Sequence, residues 1–339
     1  MKGWKLTKIK TLKEEQLAED FASQSNAKVK VTKALITLPS VLNYLGELDS
    51  DNHFVLGNQG IGIVTEAPAN LFGLEEGKRV YIEPNKPCLE CYNCKNNEED
   101  KCSDVLFAGE DYDGFLSNFV SANASKLYLL PDSVSDEEAL FIGHVSLAVG
   151  IINKLDIQKG DYVVIVGANN YSNVLAQLLI YYQTVPILVG VNEEDLKIAK
   201  DTGLYYVLDQ NDNWQKEVST ITGGRMTKSV VYFSDSNIPV AKAFSLASYN
   251  ANVVFTGISY NNNPISFSKA IKKQLVIHCV NESIGNTASS INLLANKAVN
   301  FSHLKIEQGK YEKVPETFKN LAEEFNQNGR IHETVIEID

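Results

Sequence analysis

Four of the five cysteines in this chain lie in PCLECYNCKNNEEDKC, at Cys88, Cys91, Cys94 and Cys102, with the spacing C-x2-C-x2-C-x7-C. Closely spaced thiols, closed by a last one at the end of a short loop, can wrap one tetrahedral ion, and thiolates are soft ligands suited to zinc. Four protein ligands leave no open position, so such a site is structural rather than catalytic. Disulfides or free thiols are the alternative. The compact spacing weighs against them, and so does the N-terminus MKGWKLTKIKTLKEEQ, which lacks the apolar run of a signal peptide.

Two other stretches have the form of a binding turn. LGNQGIGIV, Leu56 to Val64, has glycines for a tight turn of backbone but carries two neutral amides, Asn58 and Gln59, where chemistry would favour a titratable group. GANNYS, Gly167 to Ser172, follows the apolar run VVIV and opens a helical pattern whose N-terminus offers unpaired N–H groups. A lone histidine, His144, stands at the head of an apolar stretch. It could exchange protons near neutral pH, or it could be a packed, hydrogen-bonded core histidine.

The elements that must position these residues follow from patterning. With 339 residues the chain is long enough for two domains at roughly 150 residues each. From Ala27 to about Tyr128 the signals are strands and turns: AKVKVTKALITL, GIGIVTE, RVYIEP and KLYLLPD. SDEE at Ser135 supplies a helix-capping box, and EALFIGHVSLAVGIINKL continues as one apolar helix, placed to be a hinge. Beyond it, buried strands (VVIVGA, VPILVG, YYVLD, SVVYFSD, ANVVFTGIS, KKQLVIHCV) alternate with helices such as NVLAQLLIYYQ, EEDLKIAKDTG and AKAFSLAS. That alternation predicts a doubly wound parallel sheet. A last helix at PETFKNLAEEFN precedes RIHETVIEI, a strand able to pair back with the first domain.

Lys and Arg number 31 against 42 Asp and Glu, a formal charge of -11, and no basic stripe is present. Nucleic acid and anionic membranes are therefore disfavoured as partners, and the mixed charge of MKGWKLTKIKTLKEEQ, with no apolar run, gives the expectation of a cytoplasmic location.

The cysteine spacing, on a lobe between RVYIEP and GFLSNFV, together with GNQGIGIV and LPDSVSDEEA, resembles the zinc-type alcohol dehydrogenase branch of the medium-chain dehydrogenase/reductase family. The resemblance implies an α/β fold: a β-rich GroES-like catalytic domain, residues 1–148 and 286–339, with a structural-zinc lobe at about 84–106, and a Rossmann domain at 149–285. It also implies a homo-oligomer, dimer or tetramer, acting on a small-molecule substrate.

Members of that branch hold a second, catalytic zinc through a Cys in a CGxD-like turn, a His in a GHE motif and a third ligand at the hinge. Here TLPSVLNYL puts Leu38 at the cysteine position, Gly57-Asn58-Gln59 stands for GHE, and the hinge reads Ile142-Gly143-His144. Neutral amides and a leucine are poor zinc ligands, so the catalytic zinc is expected to be absent and one zinc to bind per chain. Asn58, Gln59 and His144 become the candidate catalytic groups, with Asn43 and Tyr44 nearby by resemblance.

The G-x-G-x-x-G fingerprint survives only in part. Gly167 keeps the turn, Asn169 and Ser172 replace two glycines, and Asn170 and the bulky Tyr171 lie between them. Asparagine's tolerance of positive φ and serine's small size are expected to soften the loss. Gly190 takes the place of the acid that binds the ribose hydroxyls, and Gly257 is a further candidate cofactor contact. Glu193, Glu194 and Asp195 would repel a 2′-phosphate, favouring NAD(H) over NADP(H), although a solvated first helical turn favoured by the helix dipole explains them better.

Two functions are open: an oxidoreductase acting on a small alcohol or carbonyl with NAD(H) through a zinc-free site, and a non-catalytic nucleotide or metabolite binder or scaffold that retains the fold. A cleft adapted to a different small molecule is a third.

Overall fold

Strand and helix signals are met in order along the computed structural model, which describes residues 1–18, 25–48, 53–68, 73–257, 265–281 and 285–338. The chain packs as two units, Met1–Ile142 with Ile306–Asp339, and Gly143–Lys305.

The first unit opens with a hairpin that no sequence signal announced, β1 (Lys2–Lys8) and β2 (Thr11–Gln16). In β3 (Asn26–Ile36) the alternate residues Ala27, Val29 and Val31 are buried, the period of a half-covered strand, and Ala34, Leu35 and Ile36 are all buried. The segment TLPSVLNYL, expected as a turn, forms helix α1 (Leu38–Leu45). Pro39 suits its first turn, and Gly46 at φ 77° stops it by donating to Asn43 O, with Glu47 N donating to Leu42 O.

β4 (Gln59–Glu66) and β5 (Arg79–Ile82) continue the sheet. The short pair β6 (Asn85–Lys86) and β7 (Leu106–Phe107) frames the cysteine lobe, which holds helix α2 (Tyr92–Lys95). β8 (Phe119–Asn123) and β9 (Leu127–Leu129) complete this part.

At Ser135 both bonds of the capping box form, and they start α3 (Asp136–Ala139). The single helix expected here is interrupted: Phe141 N bonds Glu138 O in a tighter turn, and α4 (Ile142–Leu155) begins anew. Leu140 and Phe141 are both fully buried, so core packing outweighs helix continuity at this point.

The second unit contains β10 (Tyr162–Val166), α5 (Asn170–Tyr181), β11 (Val185–Val189), α6 (Glu193–Asp201), β12 (Tyr206–Leu208) and α7 (Trp214–Ile221). It continues with β13 (Thr227–Phe233), α8 (Val240–Leu246), β14 (Ala247–Thr256), α9 (Ser268–Lys273), β15 (Val276–Cys279) and α10 (Thr287–Ala295). All of these strands are parallel, in the order β12-β11-β10-β13-β14-β15. Val163 to Val166 have no exposed surface, as a strand covered by helices on both faces requires.

The helix expected over AKAFSLAS ends at Leu246, because Ala247 pairs with Thr227 and already belongs to β14. The last residues of the strand expected at ANVVFTGIS, Ile258 and Ser259, lie outside the described residues.

The chain then returns to the first unit with β16 (Ile306–Lys310), α11 (Val314–Asn328) and β17 (Glu333–Glu337). β17 pairs antiparallel with β3, so the sheet runs β16-β17-β3-β4-β5-β9, with β8 also on β3. No helix among the described residues is long and apolar enough to cross a membrane.

Candidate functional site

The four lobe cysteines converge. Their Sγ atoms all lie within 4.8 Å of one another, with Cys88 and Cys102 at 3.5 Å and Cys91 and Cys102 at 3.9 Å. A tetrahedron with Zn–S bonds of about 2.3 Å has edges of about 3.8 Å, so the cage has the size of a zinc site. The N–H of Cys91 donates to Cys88 Sγ and that of Cys88 to Cys102 Sγ, both at 3.3 Å, which orients the sulfurs.

The thiols divide sharply. The backbone N–H groups of Cys94 and Ser103 pull Cys91 down to about 5, and burial pushes Cys94 up to about 12. Sulfurs this close need a cation before all of them can ionise, and a divalent metal provides it. The donor set fits zinc, which when bound would cross-link the lobe.

The amide pair lies at the head of β4. Asn58 and Gln59 are 4% and 2% exposed, and the pleat turns their side chains to different partners. Thr37 Oγ1 donates to Asn58 Oδ1 at 2.9 Å, with Ser40 Oγ at 3.5 Å from the same oxygen. Gln59 Oε1 accepts from Tyr81 OH of β5 at 2.6 Å. Both amide oxygens are thus engaged by neutral hydroxyls, while Asn58 Nδ2 is buried with no hydrogen-bond partner among the described residues. Leu38, the first residue of α1, has no donor atom to offer a metal. The catalytic zinc of related enzymes does not fit this donor set.

Of the two neighbours expected by resemblance, Asn43 donates through Nδ2 to Gly109 O at 2.7 Å, and Tyr44 packs its ring against Phe318. Next to Gly109 stands an acid that sequence reasoning missed. Burial, followed by the charge of Asp111, raises the Glu110 carboxyl to about 7. A Cβ on Gly109 would lie 3.2 Å from Gly57 N, so Glu110 follows a residue packed directly on the Asn58 turn.

In the second unit His144 is 1% exposed, and its ring stacks on Tyr171 with centroids 3.7 Å apart and planes at 11°. The histidine thus packs the start of α4 against the first turn of α5.

The glycine turn and its neighbours gather at the carboxyl ends of the paired strands β10 and β13, from which the chain runs on to β11 on one side of the sheet and β14 on the other, the ligand crevice of open α/β folds. Gly167 has φ 109°, and a Cβ there would lie 2.7 Å from Ser236 Cβ. Gly190 has a packing reason as well, since a Cβ would lie 2.9 Å from Ala168 Cβ and 3.0 Å from Leu196 Cδ2.

The softening expected from asparagine's tolerance of positive φ does not operate. Asn169 is extended at φ -159° and is instead the N-cap of α5. Its Oδ1 accepts from Ser172 N and its N–H donates to Ser172 Oγ, both at 2.8 Å. Ser172 is fully buried, so serine is small enough for the place of the third glycine. Asn170 is the first residue of the helix, and Gly257, at φ 81°, follows the end of β14. Gly167, Gly190 and Gly257 thus each stand where a side chain would strain the backbone or clash, and polar side chains lie beside Gly167 and Gly257. One of these is Asp235, whose Oδ2 accepts from Asn169 Nδ2 at 3.1 Å.

Thr37, Ser40, Tyr81, Glu110 and Asp235 escaped the sequence reading. They lie within TLPS, RVYIEP, AGED and FSDS, but only the fold shows which side chain meets which.

Residues 23–132 match the alcohol dehydrogenase GroES-like domain family, and residues 174–296 match the zinc-binding dehydrogenase family. A zinc-type alcohol dehydrogenase-like protein of Haemophilus influenzae is 25% identical over 271 residues, 79% of each chain. A sorbitol dehydrogenase of Halalkalibacterium halodurans is 25% identical over 293 residues, 84% of this chain and 85% of that one. Among solved structures, an Escherichia coli oxidoreductase of unknown specificity superposes with a TM-score of 0.89 at 20% identity, covering 100% of this chain and 99% of that one. An Escherichia coli alcohol dehydrogenase complexed with NADH superposes at 0.84 and 20% identity, covering 99% of each. The chain belongs to the medium-chain dehydrogenase/reductase family of oxidoreductases, on its zinc-type alcohol dehydrogenase branch, with a GroES-like unit and a Rossmann unit.

Proposed function

We propose that this protein is an oxidoreductase of the alcohol dehydrogenase type with a degenerate, zinc-free active site, acting on a small alcohol or carbonyl with NAD(H). The reading rests on the neutral hydrogen-bonded set at the metal-ligand positions, Asn58 with Thr37 and Ser40, and Gln59 with Tyr81. With both oxygens already accepting, Asn58 Nδ2 is the donor left for a substrate oxygen. A buried N–H without a partner costs about 1–3 kcal/mol, which a bound oxyanion or carbonyl would recover. Thr37 and Ser40 fix the plane of the amide and so the direction of that N–H.

In this reading the first unit is the catalytic domain and the second the dinucleotide-binding domain. Gly167, Asn169, Asn170, Ser172, Gly190 and Gly257 would hold NAD(H), which when bound supplies hydride transfer. Cys88, Cys91, Cys94 and Cys102 would hold the single zinc. The assembly is a homo-oligomer built through edge strand β15, where Val276 and Ile277 are 48% and 36% exposed, and the protein resides in the cytoplasm.

One observation favours a second reading, a non-catalytic nucleotide or metabolite binder. The N-terminus of α5 is capped by its own side chains and faced by the Asp235 carboxylate, which lowers affinity for a pyrophosphate. Titration with NADH and NADPH, followed by assay on alcohols, aldehydes and enones, separates the two. Binding with turnover supports the oxidoreductase, and binding without turnover supports the second reading. No binding of either nucleotide at millimolar concentration removes the first.

A further inference from the structure

The geometry points to Asp235 as the residue that determines which ligands the Rossmann crevice accepts: its carboxylate favours ligand hydroxyls and holds phosphate off. This rests on the reading of that crevice as the nucleotide site.

Asp235 lies just past the carboxyl end of β13, the strand beside β10. Its Oδ2 accepts from Asn169 Nδ2 at 3.1 Å, which sets the carboxylate against the N-cap of α5, where a dinucleotide's pyrophosphate would approach. On the other side, a Cβ on Gly257 would lie 3.2 Å from Asp235 Oδ1 and 3.3 Å from Ser234 Oγ. The carboxylate is therefore held between the turn that opens α5 and the turn that ends β14.

The same strand ends form a cavity of about 250 Å³ lined by Tyr232, Ser234, Val240, Phe255, Thr256 and Gly257. Thr256 is 3% exposed, and its Oγ1, like Ser234 Oγ, is buried without a hydrogen-bond partner among the described residues. Buried hydroxyls in this state complete themselves on a ligand that both donates and accepts. Asp235 accepts only, and it carries negative charge, so it suits a vicinal diol and opposes phosphate.

The neighbouring residues point the same way. Two backbone N–H groups that could meet an anion, those of Asn169 and Ser172, are already taken within the capping box. At the end of β11 the close contact of Gly190 with Ala168 excludes a ribose-binding acid, while Asp235 offers a carboxylate on the opposite side of β10. The diol acceptor has thus moved across the central strand, to a place where it faces the phosphates. The carboxylate therefore tunes the crevice, weakening its hold on the phosphates of a nucleotide and strengthening its hold on ribose hydroxyls.

Calorimetric titration of the full chain with adenosine, ADP-ribose and NADH, for the native protein and the Asp235→Asn variant, tests this. The neutral isostere can keep the bond from Asn169, and an unchanged thermal midpoint checks the fold. Removing the like charge is expected to raise affinity for ADP-ribose and NADH by roughly ten-fold or more while weakening adenosine. An Asn169→Gly variant, which frees the helix end, should gain on ADP-ribose and NADH but not on adenosine.

If the native protein binds NADH and Asp235→Asn leaves all three affinities unchanged, the inference fails and the nucleotide-site reading stands. If Asp235→Asn binds NADH where the native chain does not, the inference holds and NAD(H) is excluded as the native cofactor. If no variant binds any of the three, both fall.

Discussion

Thr37 donates its hydroxyl to Asn58 Oδ1 at 2.9 Å instead of capping α1, the helix it precedes. An N-cap threonine normally contributes about 1 kcal/mol to its helix, so the bond to Asn58 competes with a real alternative. Thr37, Ser40 and Asn58 thus form a set of neutral groups that hold one another. Thr37→Val, close in shape but without the hydroxyl, should leave the Asn58 oxygen with only Ser40 at 3.5 Å. Urea unfolding should show a loss of about 1–3 kcal/mol. Asn58→Leu in the Thr37→Val background should add less than it does alone, because the pair acts as a unit.

The zinc prediction concerns stoichiometry. Elemental analysis of the purified chain should find about one tightly held zinc, because only the lobe offers a closed thiolate set. Cys102→Ser should reduce this well below one equivalent and open the loop between β6 and β7 to proteases. A second tightly held zinc would contradict the neutral reading of Asn58 and Gln59.

Fold class was legible because its signals are local and redundant. Val163 to Val166 are apolar in succession, and Ser135 and Glu138 spell a capping box, so neighbours alone determine both. The hairpin β1–β2 stayed hidden because KGWKLTK and TLKEEQ carry too much charge to read as strands, and only their mutual pairing reveals them. At the site, GNQGIG could be recognised as an altered motif. Its bonding could not, since Thr37, Tyr81 and Gly109 approach it through the sheet and turns rather than along the chain.

Restoring the family's ribose acid should fail for a packing reason. Gly190→Asp places a Cβ 2.9 Å from Ala168 Cβ, so the single variant is expected to lose about 1–3 kcal/mol in thermal or urea unfolding. Ala168→Gly removes the opposing methyl and should recover part of the loss. If Gly190→Asp is neutral alone, the close contact is not what keeps glycine there.

Edge strand β15 pairs only with β14 among the described strands and exposes Val276, Ile277 and Cys279. An apolar edge of this kind is a pairing surface unless charge protects it. Ile277→Lys should shift the protein toward monomer in light scattering, with little change in the far-ultraviolet spectrum. An unaltered assembly in that variant would place the interface elsewhere.

Glu110 gives the stability a pH dependence of known sign. Its carboxyl is raised from 4.5 to about 7 in the folded chain by burial and by Asp111, so the folded state keeps a proton that the unfolded state releases first. The stabilisation is complete below the unfolded value and declines as pH rises through the folded one. Between those two values the loss should be on the order of 2–3 kcal/mol, and above about pH 7 it should level off. Glu110→Gln cannot ionise and should flatten this part of the profile, remaining more stable than the native chain at pH 8. Urea unfolding of both proteins at half-unit steps from pH 4.5 to 8 measures this. Parallel profiles for the two proteins would show that the Glu110 carboxyl ionises in the folded chain as it does in water.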